Sequence, residues 1–150
     1  MDVLIIYGSE TGNSKIVAEK ISKALDQPNK VKNVIEYTPE MLKENQFDLI
    51  MNFILVCPTW GDAELQLDFE NFLFNFTADL TNKNYAICEL GNYYGYDDFE
   101  FGASRIIDHF MEKLHGTKII ENLSLDSFPR KDYETLTRWT NELNIRICQI

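Results

Sequence analysis

Val3-Leu4-Ile5-Ile6-Tyr7-Gly8-Ser9-Glu10-Thr11-Gly12-Asn13-Ser14 is the stretch from which the rest of the chain is read. Residues 2–7 form a nearly continuous apolar run, as a strand buried on both faces requires. Gly8 to Ser14 is dense in glycine and hydroxyls. It passes directly into residues 13–26, where Ile16, Val17, Ile21, Ala24 and Leu25 recur at helical spacing. A strand, a polar glycine loop and a helix in that order open a parallel α/β fold.

The pattern repeats. Residues 31–37, 49–57 and Tyr85–Leu90 read as further strands, and a short fifth lies within Thr117–Leu125. Pro39 opens a short helix to about residue 45. Residues 68–80, 101–114 and 130–146 carry apolar side chains at helical spacing, from Phe69 to Leu80, Ile106 to Leu114 and Tyr133 to Leu143. The expected architecture is therefore α/β, a three-layer doubly wound sheet of five parallel strands in the order 2-1-3-4-5. No repeat, low-complexity tract or linker divides residues 1–150, so one domain is expected.

Fourteen Lys and Arg against 24 Asp and Glu give the 150-residue chain a net charge of −10. Such a chain repels nucleic acid and anionic membrane. The longest apolar run, around Leu49–Cys57, is interrupted by Asn52 and is too short to span a bilayer. The N-terminal run lacks the basic flank and cleavage site of a secretion signal, so a cytoplasmic location is expected. Cys57, Cys88 and Cys148 are odd in number and far apart, which fits neither a disulfide framework nor a metal cluster. Cys57 and Cys88 are expected to be small apolar residues of buried strands.

In this topology a ligand sits beyond the carboxyl ends of the strands, at the reversal between the first and third. Three loops leave that edge. Gly8–Ser14 has neither the Gly-Lys-Ser/Thr of a nucleotide-triphosphate loop nor Gly-x-Gly-x-x-Gly spacing, and read alone it serves as a helix cap or as an anion cradle. Pro58-Thr59-Trp60-Gly61-Asp62-Ala63-Glu64-Leu65 puts a tryptophan on a loop, as a lid over the core or a platform for a flat ligand. Leu90 leads into Gly91-Asn92-Tyr93-Tyr94-Gly95-Tyr96-Asp97-Asp98-Phe99, whose tyrosines either tie down the loop or flank a ligand. Together, at one edge, the three favour a site.

These motifs resemble a known family. Tyr7–Ser14 resembles the FMN phosphate loop of flavodoxins and of the FMN domains of diflavin reductases, and Thr59–Leu65 resembles their second flavin loop. Gly91 with the tyrosine- and aspartate-rich stretch, then Gly102-Ala103, resembles the third. The resemblance spans the chain, and the last-strand region lacks the long insertion of long-chain members, so it is to the short-chain type.

The resemblance implies FMN as cofactor. It also implies a carrier, without substrate turnover of its own, that shuttles single electrons between a flavodoxin reductase and acceptor enzymes through the flavin semiquinone and hydroquinone. Ser9, Thr11, Asn13 and Ser14, with the amides of Glu10 and Gly12, would hold the phosphate. Trp60 would stack on the inner flavin face and Tyr96 on the outer, with Tyr94 as the alternative. The Gly61 carbonyl would accept from flavin N5. Pro58, Thr59, Asp62, Leu90, Gly91, Asn92, Tyr93, Asp97 and Phe99 would complete the lining. Asn92 departs from the family's usual Asp, and Pro58 is not a hallmark of it. Asp62, Glu64, Asp97 and Asp98 would make charge on the reduced flavin costly and steer redox partners with basic docking faces. A monomer is expected.

Three other functions share this topology. The Gly91-Asn92 pair suggests a flavodoxin-like activator of a ribonucleotide reductase metal site, but the longer Trp60 loop and five strand–helix units favour the carrier. A phosphoryl-accepting receiver needs an acidic pair after the first strand and an Asp ending the third, where this chain has Gly8-Ser9 and Cys57-Pro58-Thr59. Nothing marks the nicotinamide site of a quinone reductase.

Overall fold

Val3, Leu4, Ile5, Ile6 and Tyr7 are all buried and form β1 (Val3–Tyr7), with side chains alternating between two cores. Val3, Ile5 and Tyr7 face one, Leu4 and Ile6 the other. The computed structural model describes residues 2–8, 12–43, 47–60, 64–91, 102–126 and 129–149. β1 pairs in parallel with β2 (Asn29–Asn33) on one side and β3 (Asn52–Trp60) on the other. β3 pairs in parallel with β5 (Asn84–Gly91), and its end turns back through β4 (Glu64–Leu65), with Trp60 opposite Glu64. Beyond β5 lie two short strands, β6 (Thr117–Lys118) and β7 (Leu123–Asp126), both parallel to it. This is the expected 2-1-3-4-5 order with the fifth place shared by two segments.

Helices α1 (Asn13–Ala24) and α5 (Tyr133–Cys148) cover the Val3 face, through Val17, Ile21, Leu136 and Leu143. α3 (Leu67–Asn75) and α4 (Ala103–Lys113) cover the Leu4 face through Phe69, Phe72, Ile107 and Met111, with Leu42 of α2 (Pro39–Lys43). Helices thus cover both faces of the sheet, and the buried strands β1 and β5 read as near-continuous apolar runs, whereas the edge strand β2, Asn29-Lys30-Val31-Lys32-Asn33, does not.

Four details depart from the sequence reading. The second strand ends at Asn33 rather than running 31–37. The Asn33 side chain accepts from Ile35 N–H at 3.2 Å and Glu36 accepts from Asn33 N–H at 2.7 Å, which closes a 3-10 turn over Val34–Glu36. The third helix stops at Asn75 instead of continuing to residue 80, although Phe76 and Leu80 are buried as a helix would bury them. Ile16 is 42% exposed, because the inner stripe of α1 is Ser14, Val17, Ala18 and Ile21, and Ile16 lies on neither side of it. The fifth strand breaks between Lys118 and Leu123. There α5 takes the backbone carbonyls: the Trp139 indole N–H donates to Glu121 O at 2.9 Å and Arg146 Nη1 to Ile119 O at 2.7 Å.

Cys57 and Cys88 are buried, and burial pushes both thiols up. Among the described residues no cluster of His, Cys, Asp or Glu could hold a metal, and no helix is long and apolar enough to cross a membrane.

Candidate functional site

The register of the sheet brings three loop stems together. Tyr7 stands beside Val56, and Val56 beside Cys88, so β1, β3 and β5 finish within a few residues of one another. Strands lie about 4.8 Å apart, so the stems leave an edge roughly 10 Å wide. This is the carboxyl edge, where the topology puts ligands.

At the first stem, Gly8 N–H donates to Val56 O at 3.1 Å, continuing the ladder one residue past β1. A Cβ at Gly8 would collide with Gln66 Oε1, the tip of a side chain, and come within 3.0 Å of Phe69, so a side chain here would force Gln66 to shift. Gly12, at the cap of α1, has φ +88, and a Cβ there would meet nothing within 4 Å. It is needed for its left-handed backbone rather than for space. The turn aims the first N–H groups of α1 at the edge. Its first turn holds no acid, Ser14 is buried and Asn13 is half-buried. Such a start favours an anion.

At the second stem, Pro58 and Thr59 are half-buried, and Thr59 Oγ1 accepts from the Ala103 N–H at 3.4 Å. The site's second loop is thus tied to the helix that follows its third. Gln66, just past β4, is 1% exposed, and its Oε1 has no partner among the described residues. At the third stem, Leu90 faces the α1–α5 core, so at the edge it offers only its backbone. Gly91 pairs with Asp126.

Of the residues singled out from the sequence, Gly12, Asn13, Ser14, Pro58, Thr59, Leu90 and Gly91 lie at this one edge, with the Trp60 backbone. Ser9, Glu10, Thr11, Gly61, Asp62, Asn92, Tyr93, Tyr94, Tyr96, Asp97 and Phe99 lie outside the described residues.

Sequence reasoning missed Glu89 and Gln66. Glu89 is 2% exposed, and its carboxylate accepts from Ser104 N–H at 2.7 Å and from the Ser124 hydroxyl at 2.8 Å. Burial pushes it up, while the Ser104 and Ser124 hydrogen bonds and nearby Arg105 oppose the rise. The available signal was a lone acid inside an apolar strand, Tyr85-Ala86-Ile87-Cys88-Glu89-Leu90.

The family model described as Flavodoxin matches residues 5–139. A flavodoxin of Helicobacter pylori is 33% identical over 125 residues, which cover 83% of this chain and 71% of that protein. Among solved structures, oxidised flavodoxin 2 from Bacillus cereus superposes with a TM-score of 0.82 at 22% identity, over 99% of both chains. A Fusobacterium nucleatum flavodoxin bound to flavin mononucleotide superposes with a TM-score of 0.79 at 20% identity, over 99% of this chain and 97% of that one. At these identities the structural likeness carries the fold alone.

Proposed function

The chain belongs to the flavodoxin family, and from that premise we propose that it binds one FMN at the carboxyl edge of its sheet and carries single electrons between a flavodoxin reductase and acceptor enzymes. The observation that carries this reading is the meeting of three loop stems, at Gly8, Thr59–Trp60 and Gly91, on adjacent strands of that edge. The residues present fit a phosphorylated ligand. The left-handed Gly12 opens α1 toward the edge, and the helix start carries no acid to repel a phosphate.

FMN supplies one-electron redox chemistry when bound, and the protein supplies binding and tuning. On this reading Ser9, Thr11, Asn13 and Ser14, with the amides of Glu10 and Gly12, hold the phosphate. Trp60 and Tyr96 cover the two ring faces and exclude water, with Tyr94 as the alternative to Tyr96. The Gly61 carbonyl would accept a hydrogen bond at the flavin N5 position. Asp62, Glu64, Asp97 and Asp98 oppose further negative charge on the ring. Each carboxylate about 10 Å away adds roughly 1–2 kcal/mol to that cost at an effective dielectric near 20, before screening.

The chain works as one domain and as a monomer in the cytoplasm, with no substrate turnover of its own. Its net charge of −10 suits partners with basic docking faces. The test is direct. FMN added to the apoprotein loses its fluorescence as the ring stacks, and the holoprotein is yellow. Undiminished flavin fluorescence at saturating apoprotein would overturn the reading.

A further inference from the structure

Glu89 is an acid for which the electron-carrier reading has no use. It lies two residues before Gly91, where the chain leaves the sheet for its third loop, and it is almost wholly buried. Taking a carboxylate out of water costs several kcal/mol unless strong partners meet it. Its partners come from two other elements, Ser104 N–H at the start of α4 and the Ser124 hydroxyl on β7.

The start of α4 explains why an acid is there. Its cap residue, Gly102, makes no side-chain bond to the helix, and its first turn contains no acid. The sheet satisfies the helix instead. Thr59 Oγ1 takes the Ala103 N–H, and Glu89 Oε2 takes the next amide, that of Ser104. Glu89 therefore sits on the strand from which the third loop departs and holds the helix at which the chain returns.

We propose that Glu89 is a positioning residue for the cofactor site, which pins the two ends of the third loop together and, when ionised, places a negative charge on the strand beneath that edge. This rests on the reading that FMN binds at this edge. Two physical arguments support it. Fixed loop ends leave fewer conformations open between them, which lowers the entropic cost of binding there. And a buried carboxylate is screened by salt much less than the surface acids, whose fields fall off over about 8 Å in physiological salt. The field of Glu89 reaches the neighbouring strand: it adds to the upward push that burial gives the Cys57 thiol of β3.

Two variants of the full chain, with and without FMN, separate the outcomes. Glu89→Gln keeps an acceptor for the Ser104 N–H and removes the charge. Its one-electron potentials are expected to rise, by the same amount in low and high salt, while the dissociation constant for oxidised FMN changes by less than about threefold. Glu89→Ala removes the acceptor. In the apoprotein the Ser104 amide is expected to exchange faster with solvent, and the FMN dissociation constant to rise about tenfold.

A Glu89→Gln shift that disappears in high salt would assign the effect to surface charge and overturn the proposal. So would unchanged potentials in that variant, which decides the question even if Glu89→Ala fails to fold. Failure of the wild-type chain to bind FMN would overturn the functional reading and this inference with it. Wild-type binding with an unaltered Glu89→Gln would overturn the inference alone.

Discussion

Two helices begin at the same edge of this sheet, and they satisfy their first turns in different ways. α1 and α4 both start from a glycine cap that makes no side-chain bond, and neither has an acid in its first turn. The strand that feeds α4 carries Glu89 close to its end, and that carboxylate takes the Ser104 amide. The strand that feeds α1 is apolar from Val3 to Tyr7 and brings no such group. The same strand–loop–helix unit can thus place its own anion at a helix start, as at α4, or bring no carboxylate there from its strand, as at α1. A single buried acid in the preceding strand marks which course was taken.

The strongest way to break this comparison is to give α1 an anion of its own. Asn13→Asp places a carboxylate at the start of the helix, in competition with a bound phosphate. At about 6 Å and an effective dielectric near 20 the repulsion is roughly 3 kcal/mol, so FMN affinity is expected to fall on the order of a hundredfold. Apoprotein stability should stay level or rise by about 0.3–1 kcal/mol, as an acid at a helix N-terminus gives. Flavin fluorescence titration and denaturant unfolding measure the two effects. Unchanged FMN affinity would mean that the phosphate is bound elsewhere.

Gly12→Ala tests the turn into α1. The new Cβ meets no neighbour, so the whole cost is conformational, expected at about 1–2 kcal/mol for a left-handed non-glycine residue. Urea unfolding of the apoprotein reads it, and a loss near zero would show that the backbone at residue 12 relaxes freely. Thr59→Val removes the acceptor for the first amide of α4. Because that bond is long, at 3.4 Å, the loss should lie near the lower end of the usual range, about 0.5 kcal/mol.

The last difference is in pH dependence. Burial raises Glu89 above the ordinary carboxylate pKa, so the folded state holds its proton more tightly than the unfolded state does. The resulting stabilisation is full below the ordinary carboxylate pKa and is lost as pH rises through the higher folded value. Relative to Glu89→Gln, the wild-type chain should therefore lose stability across that window. Parallel stability–pH curves for the two proteins would remove the buried charge from the account.

The strands and helices were largely legible because double-sided burial leaves continuous apolar runs and helical stripes that local sequence displays. The errors fell where burial imitates the wrong period. Phe76 and Leu80 continue the α3 pattern, yet the chain beyond Asn75 buries them without a helix. Val34, Ile35 and Glu36 read as strand until the Asn33–Glu36 capping box closes the turn. The loop motifs pointed to the carboxyl edge, where the described stems of all three loops lie. Glu89 left one local trace, a lone acid inside the apolar strand Tyr85–Leu90, and Gln66 left none, because nothing local distinguishes a buried amide from a solvated one.

Composition, hydrophobic period and loop chemistry by themselves determined the α/β class and the strand order. These are consequences of each residue's own polarity and of short-range spacing. Tertiary structure alone decided which helix start receives an internal carboxylate, which carbonyls the last helix takes where the fifth strand breaks, and which side chain crowds Gly8. Each of those depends on a partner distant in the chain, Glu89 with Ser104 and Ser124, Trp139 with Glu121, Gln66 with Gly8, and only the folded register brings such partners within hydrogen-bonding or van der Waals reach.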